Sequence, residues 1–457
     1  MVKTDVLVIG GGSAGFVAAF RASQLGSKVV LVEKERVGGI CPNWGCIPMC
    51  YMNHCVEVLK SVKEAGKDGI DTGDISIDYS RMKSERDKVI NGVVVGMEAL
   101  LQATGVQVKV GSAKLVSPDE VEIEFDDGNK EMVHANNLII ANGSLSRRYD
   151  IPGAYGPGVL TTKELLALNV LPRSLAIIGR SVTALELATV WSSLGCAVSL
   201  IARKPRLLPG EDEELAAQVR QSIEGDGVKL YAGVDITRID DSASGKSVTI
   251  SADGETRKVE AQFVIFALGQ QPRVEDIGLE NAGVSVSGGG IRTNERMETD
   301  VKGIYAVGDV TGEAMLASVA MVQGRVAGEN AAGHKATIDY RVIPRHIRTM
   351  PPIAAVGITE AEARNRGMDI KVSRFPFEQN PDALIMRESR GFVKIIADPA
   401  SGELLGAHII GPRADELIHE LSAVMNVRGT YHDIATAIHV HPSLNETIQR
   451  AAENLFG

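Results

Sequence analysis

The stretch Asp5-Val6-Leu7-Val8-Ile9-Gly10-Gly11-Gly12-Ser13-Ala14-Gly15 decides how this chain begins to fold. A short unbroken apolar run predicts a strand buried on both faces, as in a parallel sheet. Gly10-x-Gly12-x-x-Gly15 follows at once, and a helical pattern runs to about residue 25. A second apolar run, Val29 to Val32, ends at Glu33. Strand, glycine turn, helix and a strand ending in an acid predict a dinucleotide-binding unit. The first glycine allows the tight turn and the second lets the backbone approach a pyrophosphate. The third packs helix on strand, and the acid bonds a ribose hydroxyl.

The pattern returns further along. Ser174 to Ile178 is a strand, and Gly179-Arg180-Ser181-Val182-Thr183-Ala184 takes the place of the glycine turn, with Glu186 two residues on. The second strand, Val198 to Ile201, ends not in an acid but in Ala202-Arg203-Lys204-Pro205-Arg206. Cations there suit a ribose 2′-phosphate better than a free hydroxyl, unless they are a solvated basic loop. Residues 261–269 repeat the strand and small-residue turn of 138–143, ending at Gly269 as the earlier one ends at Gly143. A strand over 299–309 ends in Gly308-Asp309, and a helix over roughly 315–331 follows. Residues 53–103 read as mostly helical and 106–134 as a small β section. From Ile338 onward the pattern is strands (354–357, 391–397, 403–410) and a helix over 412–427.

Between the first unit and the helical section lies Gly39-Ile40-Cys41-Pro42-Asn43-Trp44-Gly45-Cys46-Ile47-Pro48-Met49-Cys50. Cys41, Cys46, Cys50 and Cys55 are four of the chain's five cysteines. Such a cluster is either a set of buried thiols, a zinc site or a redox pair. Gly45 before Cys46 and Pro48 after it predict a helix start, where a thiolate gains from the helix N-terminal field.

The bulk properties narrow the classes. With 457 residues, 44% hydrophobic and 23% charged, this is an ordinary globular chain of roughly two to four domains. A net charge of −10 without a basic cluster gives no electrostatic footing for nucleic acid. No apolar run reaches the ~18–20 residues of a membrane span. No signal-peptide pattern opens the chain, so a cytoplasmic location is expected.

Taken together, these motifs resemble those of the flavin-dependent pyridine nucleotide–disulfide oxidoreductases, the family of dihydrolipoamide dehydrogenase, glutathione reductase and mercuric reductase. The likeness is strongest to the first and covers nearly the whole chain. It rests on Gly10-x-Gly12-x-x-Gly15 with Glu33, Cys41-x4-Cys46, Gly308-Asp309, the stretch from Gly391 through Gly411-Pro412-Arg413-Ala414, and His439-x-His441-Pro442-Ser443-x-x-Glu446. The resemblance implies an α/β fold with two Rossmann-like dinucleotide-binding domains, for FAD and for NAD or NADP, plus a C-terminal α+β dimerisation domain. The expected boundaries are 1–145 and 269–336 for the two parts of the FAD side, 146–268 for the NAD(P) domain and 337–457 for dimerisation. It implies a homodimer acting on a small disulfide or dithiol or a lipoyl protein, with no metal.

The resemblance also assigns roles. FAD falls to Gly10, Gly12, Gly15, Glu33, Gly39, Gly143, Gly308 and Asp309. The nicotinamide nucleotide falls to Gly179, Ser181, Glu186, Arg203, Lys204 and Gly269. Cys46 is the thiol nearest the flavin and Cys41 meets substrate. His441 of the partner subunit, oriented by Glu446, moves the proton, which suits an imidazole of ordinary pKa about 6.5. His439 is left between packing and function.

Three departures stand out. Position 50 holds cysteine where the family keeps a lysine that pairs with a glutamate, matched here by Glu186, so Glu186 is expected to lose its cation. Cys50, one helical turn after Cys46, is either a third active-site thiol or a small buried filler. Cys55, about 140° further round, points elsewhere and is expected to be structural. Ser181 replaces a glycine and crowds the pyrophosphate approach, while Arg203 and Lys204 favour NADPH over NADH. Two rival readings remain: a reductase of quinones, metals or other non-disulfide acceptors, and a lipoyl-protein-binding subunit of a larger assembly.

Overall fold

The structure, a computed structural model, describes residues 2–456. Contacts divide the chain into two interleaved units. The first is built from the N-terminal stretch up to Arg148, from Thr161–Val170 and from Gly269–Asp339; the second from Tyr149–Leu160, Leu171–Leu268 and the chain from Tyr340 onward.

In the first unit the opening apolar run is the strand Val2–Ile9, at the heart of a seven-stranded sheet. It pairs in parallel with Val29–Glu33 on one side and Lys130–Ile140 on the other. Val6, Leu7 and Val8 are fully buried, as an unbroken apolar run requires when both faces of the sheet are covered. The strand Lys130–Ile140 joins two pieces that the sequence pattern sets apart. Its first half pairs antiparallel with Glu120–Glu124, and Leu138–Ile140 pair in parallel with Ile304–Ala306. The helix Ser13–Gln24 packs on the helix Ala317–Ala331 backbone to backbone. A Cβ on Gly324 would lie 2.2 Å from the Ala14 carbonyl oxygen, and one on Gly328 2.6 Å from that of Ala18. The section 53–103 is two helices, Cys46–Glu64 and Tyr79–Ala103.

The second unit holds a five-stranded parallel sheet in the order Lys229–Ala232, Ala197–Ala202, Ser174–Ile178, Phe263–Phe266, Val159–Leu160. A three-stranded antiparallel sheet, Asp235–Ser242, Gly245–Ala252 and Glu255–Ala261, covers it. The same unit carries a five-stranded antiparallel sheet of Arg345–Ile347, Ile353–Gly357, Leu404–Ile410, Phe392–Ala397 and Lys371–Pro376. The helices Ala414–Asn426 and Glu446–Glu453 pack on it through Leu417, Leu421, Ile448 and Ala452. The expected α/β class with a C-terminal α+β part is therefore borne out.

Within this unit ion pairs join the two sheets' elements. Lys394 and Asp212 are each 3% exposed and 3.0 Å apart, and Lys394 also reaches Glu214 at 3.0 Å and Glu360 at 2.7 Å. These carboxylates overcome burial and push the Lys394 amine up to about 12, so it stays charged. Removing one partner of a buried pair leaves the other uncompensated. Lys394→Met should therefore lower unfolding stability by about 3–5 kcal/mol in a urea titration; a change below about 1 kcal/mol would contradict the assignment.

Candidate active site

The first glycine turn is shaped by close backbone approach. Gly10 has φ +98°, and a Cβ there would sit 2.4 Å from the Ala141 carbonyl oxygen. A Cβ on Gly15 would lie 1.8 Å from the Gly10 carbonyl oxygen, so only glycine lets helix meet strand. Gly12 is different: its Cβ would meet nothing nearer than the Gly39 Cα at 3.9 Å. That open space lies at the N-terminus of the helix Ser13–Gln24, where the Gly12 cap supplies no side-chain hydrogen bond. Unsatisfied helix N–H groups facing room for a ligand fit a pyrophosphate.

The rest of this end fits an adenosine. Glu33 Oε2 accepts the Gly11 N–H at 2.6 Å and Oε1 accepts the Glu35 N–H at 2.8 Å, which fixes the carboxylate at the strand end. It lines a cleft of about 330 Å³ with Glu35, Arg36, Val37, Gln102 and Val108. Asp309 lies in the 3₁₀ turn Gly308–Thr311, where burial pushes its carboxyl up while the Ser144 hydroxyl, donating to Oδ2 at 2.6 Å, pulls it down. The Gly308 N–H donates to Gln323 Oε1 at 2.7 Å. Gly143 and Gly269 bracket an antiparallel ribbon of Ser144–Ser146 and Gln270–Pro272, with the Arg273 N–H on the Gly143 carbonyl and the Arg147 N–H on that of Gly269, each at 3.0 Å. The residues assigned to FAD from sequence, Gly10, Gly12, Gly15, Glu33, Gly39, Gly143, Gly308 and Asp309, fall in one unit, with open space at Gly12.

The thiols stand beside this turn. Gly39 caps the short helix Ile40–Trp44 at φ +61°, and its Cβ would come 2.8 Å from the Gly12 Cα. Gly45 then caps the helix Cys46–Glu64, with Cys46 at its first position as expected. Cys46 is exposed and Cys41 and Cys50 are half-buried. The Cys46 thiol donates to the Cys41 sulfur, and with the Ser13 side chain and the Cys46 N–H this holds the Cys41 thiol below its ordinary value. Burial and the neighbouring Cys50 push the other way without overcoming it. Cys41, Cys46 and Cys50 thus form one electrostatic group. Cys55 does not join it: burial pushes its thiol up, and its hydrogen-bond partner is Tyr51. Among the described residues no three His, Cys, Asp or Glu side chains are grouped so as to hold a metal ion. Ser13 escapes sequence reasoning because nothing in the motif marks that position. Lys163, 3.8 Å from the Trp44 ring centroid and 2.6 Å from Glu35 Oε2, escapes it because it comes from a distant segment.

In the second unit Gly179 and Ala184 keep the tight turn: a Cβ on Gly179 would meet the Ala267 carbonyl oxygen at 2.3 Å and the Ala184 Cβ at 2.8 Å. Ser181 is extended and caps the helix Val182–Ser193 without a side-chain hydrogen bond. Glu186 corrects one expectation. It has a cation after all: the Arg348 N–H donates to Oε1 at 3.0 Å and the guanidinium lies 3.8 Å away. The strand-end cations are also more committed than expected. Arg203 stacks 3.7 Å from the Tyr149 ring centroid and donates to the Ile236 carbonyl at 3.2 Å, and Arg206 bonds Glu213 and the Glu211 carbonyl. Lys204 is exposed.

The C-terminal histidines separate cleanly. His441, its side chain 73% exposed, places Nδ1 2.9 Å from Glu446 Oε1, and Glu446 Oε2 accepts the Ser443 N–H at 3.0 Å. The His441 bond and the Ser443 N–H hold the Glu446 carboxyl below its usual range, so it stays ionised and orients the ring. His439 is 8% exposed, pinned between Glu420 at 2.9 Å and the Ala437 carbonyl at 3.1 Å. It packs.

Comparison with known proteins agrees with this geometry. Residues 4–324 match the pyridine nucleotide-disulphide oxidoreductase family, and 343–452 match its dimerisation domain. The chain belongs to this family: it is an oxidoreductase that uses FAD and NAD(P)H, acts on a disulfide or dithiol, and carries the family's dimer-forming module. It is 37% identical over 452 residues to a dihydrolipoyl dehydrogenase of Bacillus subtilis (strain 168), covering 98% of each chain. A dihydrolipoyl dehydrogenase of Mycobacterium leprae (strain TN) is 36% identical, over 100% of this chain and 99% of that one. Among solved structures, LpdA from Mycobacterium tuberculosis superposes with a TM-score of 0.91 at 27% identity, covering 100% of both chains. A Cu(II) complex of the HOCl-induced flavoprotein disulfide reductase RclA from Escherichia coli gives 0.89 at 26% identity, over 99% of this chain and 100% of that one. No helix among the described residues is long and apolar enough to cross a membrane.

The thiol environments order their reactivity. Cys41 is lowered, Cys55 is raised and Cys196 is pushed by burial up to about 12. In the reduced protein near neutral pH, iodoacetamide followed by peptide mass spectrometry should label Cys41 well before Cys55 or Cys196. Labelling of Cys55 or Cys196 first would contradict this electrostatic ordering.

Proposed function

We propose that this chain is a dihydrolipoyl dehydrogenase-like enzyme, exchanging electrons between NAD(P)H and a lipoyl disulfide or dithiol as a cytoplasmic homodimer. The observation that carries the reading is the Cys41–Cys46 contact at a helix start, with Cys41 the thiol whose ionisation is favoured. When bound, FAD supplies two-electron chemistry between the nicotinamide nucleotide and this thiol pair. Gly12 takes its pyrophosphate at the open helix N-terminus, Gly10 and Gly15 shape that turn, Glu33 holds its ribose, and Gly39, Gly143, Gly308 and Asp309 complete that site. Gly179, Ser181, Glu186, Lys204 and Gly269 serve the nicotinamide nucleotide, while Arg203 is held by Tyr149 and Ile236.

The chain's own residues carry the exchange. In the direction of disulfide reduction, the Cys41 thiolate attacks one substrate sulfur, and the S–S bond breaks as a Cys41–substrate disulfide forms. The released sulfur takes a proton from His441 of the partner subunit, whose ring Glu446 orients. The Cys46 thiolate then attacks Cys41, closing the Cys41–Cys46 disulfide and releasing the second substrate thiol. Cys50 adds a third thiol to this group and tunes the charge on Cys41.

Turnover of purified holoenzyme with NADH and NADPH against lipoamide, glutathione disulfide and quinones tests the reading. Lipoamide should be the best acceptor, and Cys41→Ser should abolish its turnover. Quinone reduction that matches lipoamide and survives Cys41→Ser would favour a non-disulfide acceptor instead. His441→Gln should lower lipoamide turnover on the order of 10²–10⁴-fold, the usual worth of a positioned acid–base group, with flavin reduction by NAD(P)H unchanged. Equal loss in both half-reactions would remove His441 from the thiol step.

A further inference from the structure

Glu186 is an unusual carboxylate for a nucleotide site. It stands in the opening turns of the helix Val182–Ser193, directly after the second glycine turn, with its side chain only 12% exposed. Burial pushes its carboxyl up; the Arg348 N–H and the Arg348 charge pull it back. Arg348 comes from a part of the chain that no motif marks, just past the strand Arg345–Ile347.

The segment that carries Arg348 is fixed on both sides. Arg345 grips Glu211 with Nε at 2.9 Å and Nη2 at 3.2 Å. The Ser222 hydroxyl donates to the Met350 carbonyl at 2.6 Å, and the Thr349 hydroxyl to that of Pro351 at 2.7 Å. Arg348 is therefore delivered to Glu186 by a pinned backbone, and its own N–H makes one of the two contacts. The nearby imidazole does not blur the electrostatics. His346 is pushed down to about 4, first by burial and then by Arg348, with Asp415 opposing, so it is neutral at working pH. Arg348 is thus the charge that opposes the burial pushing the Glu186 carboxyl up.

We propose that Arg348 is a positioning residue for the nicotinamide half-reaction, holding the Glu186 side chain in one orientation, with a cation beside it, next to the second glycine turn. This rests on the assignment of that turn to NAD(P)H. The chemical reason is general. A nicotinamide ring gains positive charge as hydride leaves it, and a fixed carboxylate nearby favours that change where a neutral acid does not. In this chain the cation beside the acid belongs to the same unit as the acid, and position 50 is left to a thiol.

Infrared pH titration of the holoenzyme without nucleotide tests the pair directly, with the Glu186 carboxyl band identified by its loss in Glu186→Gln. Removing a cation this close should raise the midpoint by about 1 pH unit in Arg348→Met, the low end of the usual effect, and Arg348→Lys should recover most of it. Stopped-flow flavin reduction by NADH or NADPH should show its acid limb moving by the same amount in Arg348→Met. The double variant Glu186→Gln/Arg348→Met should be no slower than Glu186→Gln alone. Flavin absorbance and melting temperature report whether each variant is folded. An unchanged midpoint in folded Arg348→Met, or a further slowing in the double variant, would overturn the proposal. Failure of the wild type to accept hydride from either nucleotide would instead refute the assignment of the turn, and the infrared midpoint would still report on the pair.

Discussion

The first unit depends on backbones meeting at the turn Gly10–Gly15 more closely than side chains allow. Ala141 closes on Gly10, Gly39 on Gly12, and Gly308 and Gly324 on Ala14, while Glu33 receives the Gly11 N–H. Five stretches far apart in the chain therefore share one small volume, and no side chain fills the space at Gly12. The same contact sets the chemistry. The chain leaves Gly12 through Gly39 and enters the two short steps that place Cys41 and Cys46. A ligand held at the turn and the thiols of the next helix are parts of one packing arrangement.

Much of this is legible in the amino-acid sequence. Residue spacing identifies both turns, because close backbone approach at Gly10, Gly15 and Gly179 leaves no room for a Cβ. The helix start at Cys46 is legible because Gly45 and Pro48 are helix-start residues, and the His441–Glu446 pair emerges where the motif puts it. What escapes is long-range pairing of ordinary residues. Ser13, Ser144, Lys163 and Arg348 act through partners that no local period reveals. The long strand Lys130–Ile140 escapes for a related reason: it serves two neighbours of opposite direction, so its halves read as separate elements.

The departures from the family pattern gain a physical sense together. A thiol at position 50 weighs against ionising Cys41, whereas the Cys46 thiol and Ser13 favour it. The balance leaves Cys41 activated while keeping three sulfurs close. Glu186 keeps a cation because Arg348 supplies one from its own unit. Arg203, read from sequence as a phosphate ligand, spends its guanidinium on Tyr149 and Ile236, which shows how a strand-end cation can be drawn into packing. His439 and His441 sit two residues apart, yet one is buried between two acceptors and the other stands out in solvent on a carboxylate.

The central claim is that electrons from the nicotinamide nucleotide reach the Cys41–Cys46 pair. The most direct measurement is differential alkylation with peptide mass spectrometry on air-oxidised holoenzyme, before and after anaerobic addition of NADH or NADPH. Cys41 and Cys46 should be linked to each other at first and both labelled after reduction, with Cys55 and Cys196 the same in both samples. Identical labelling of Cys41 and Cys46 before and after a nucleotide that does reduce the flavin would contradict the account.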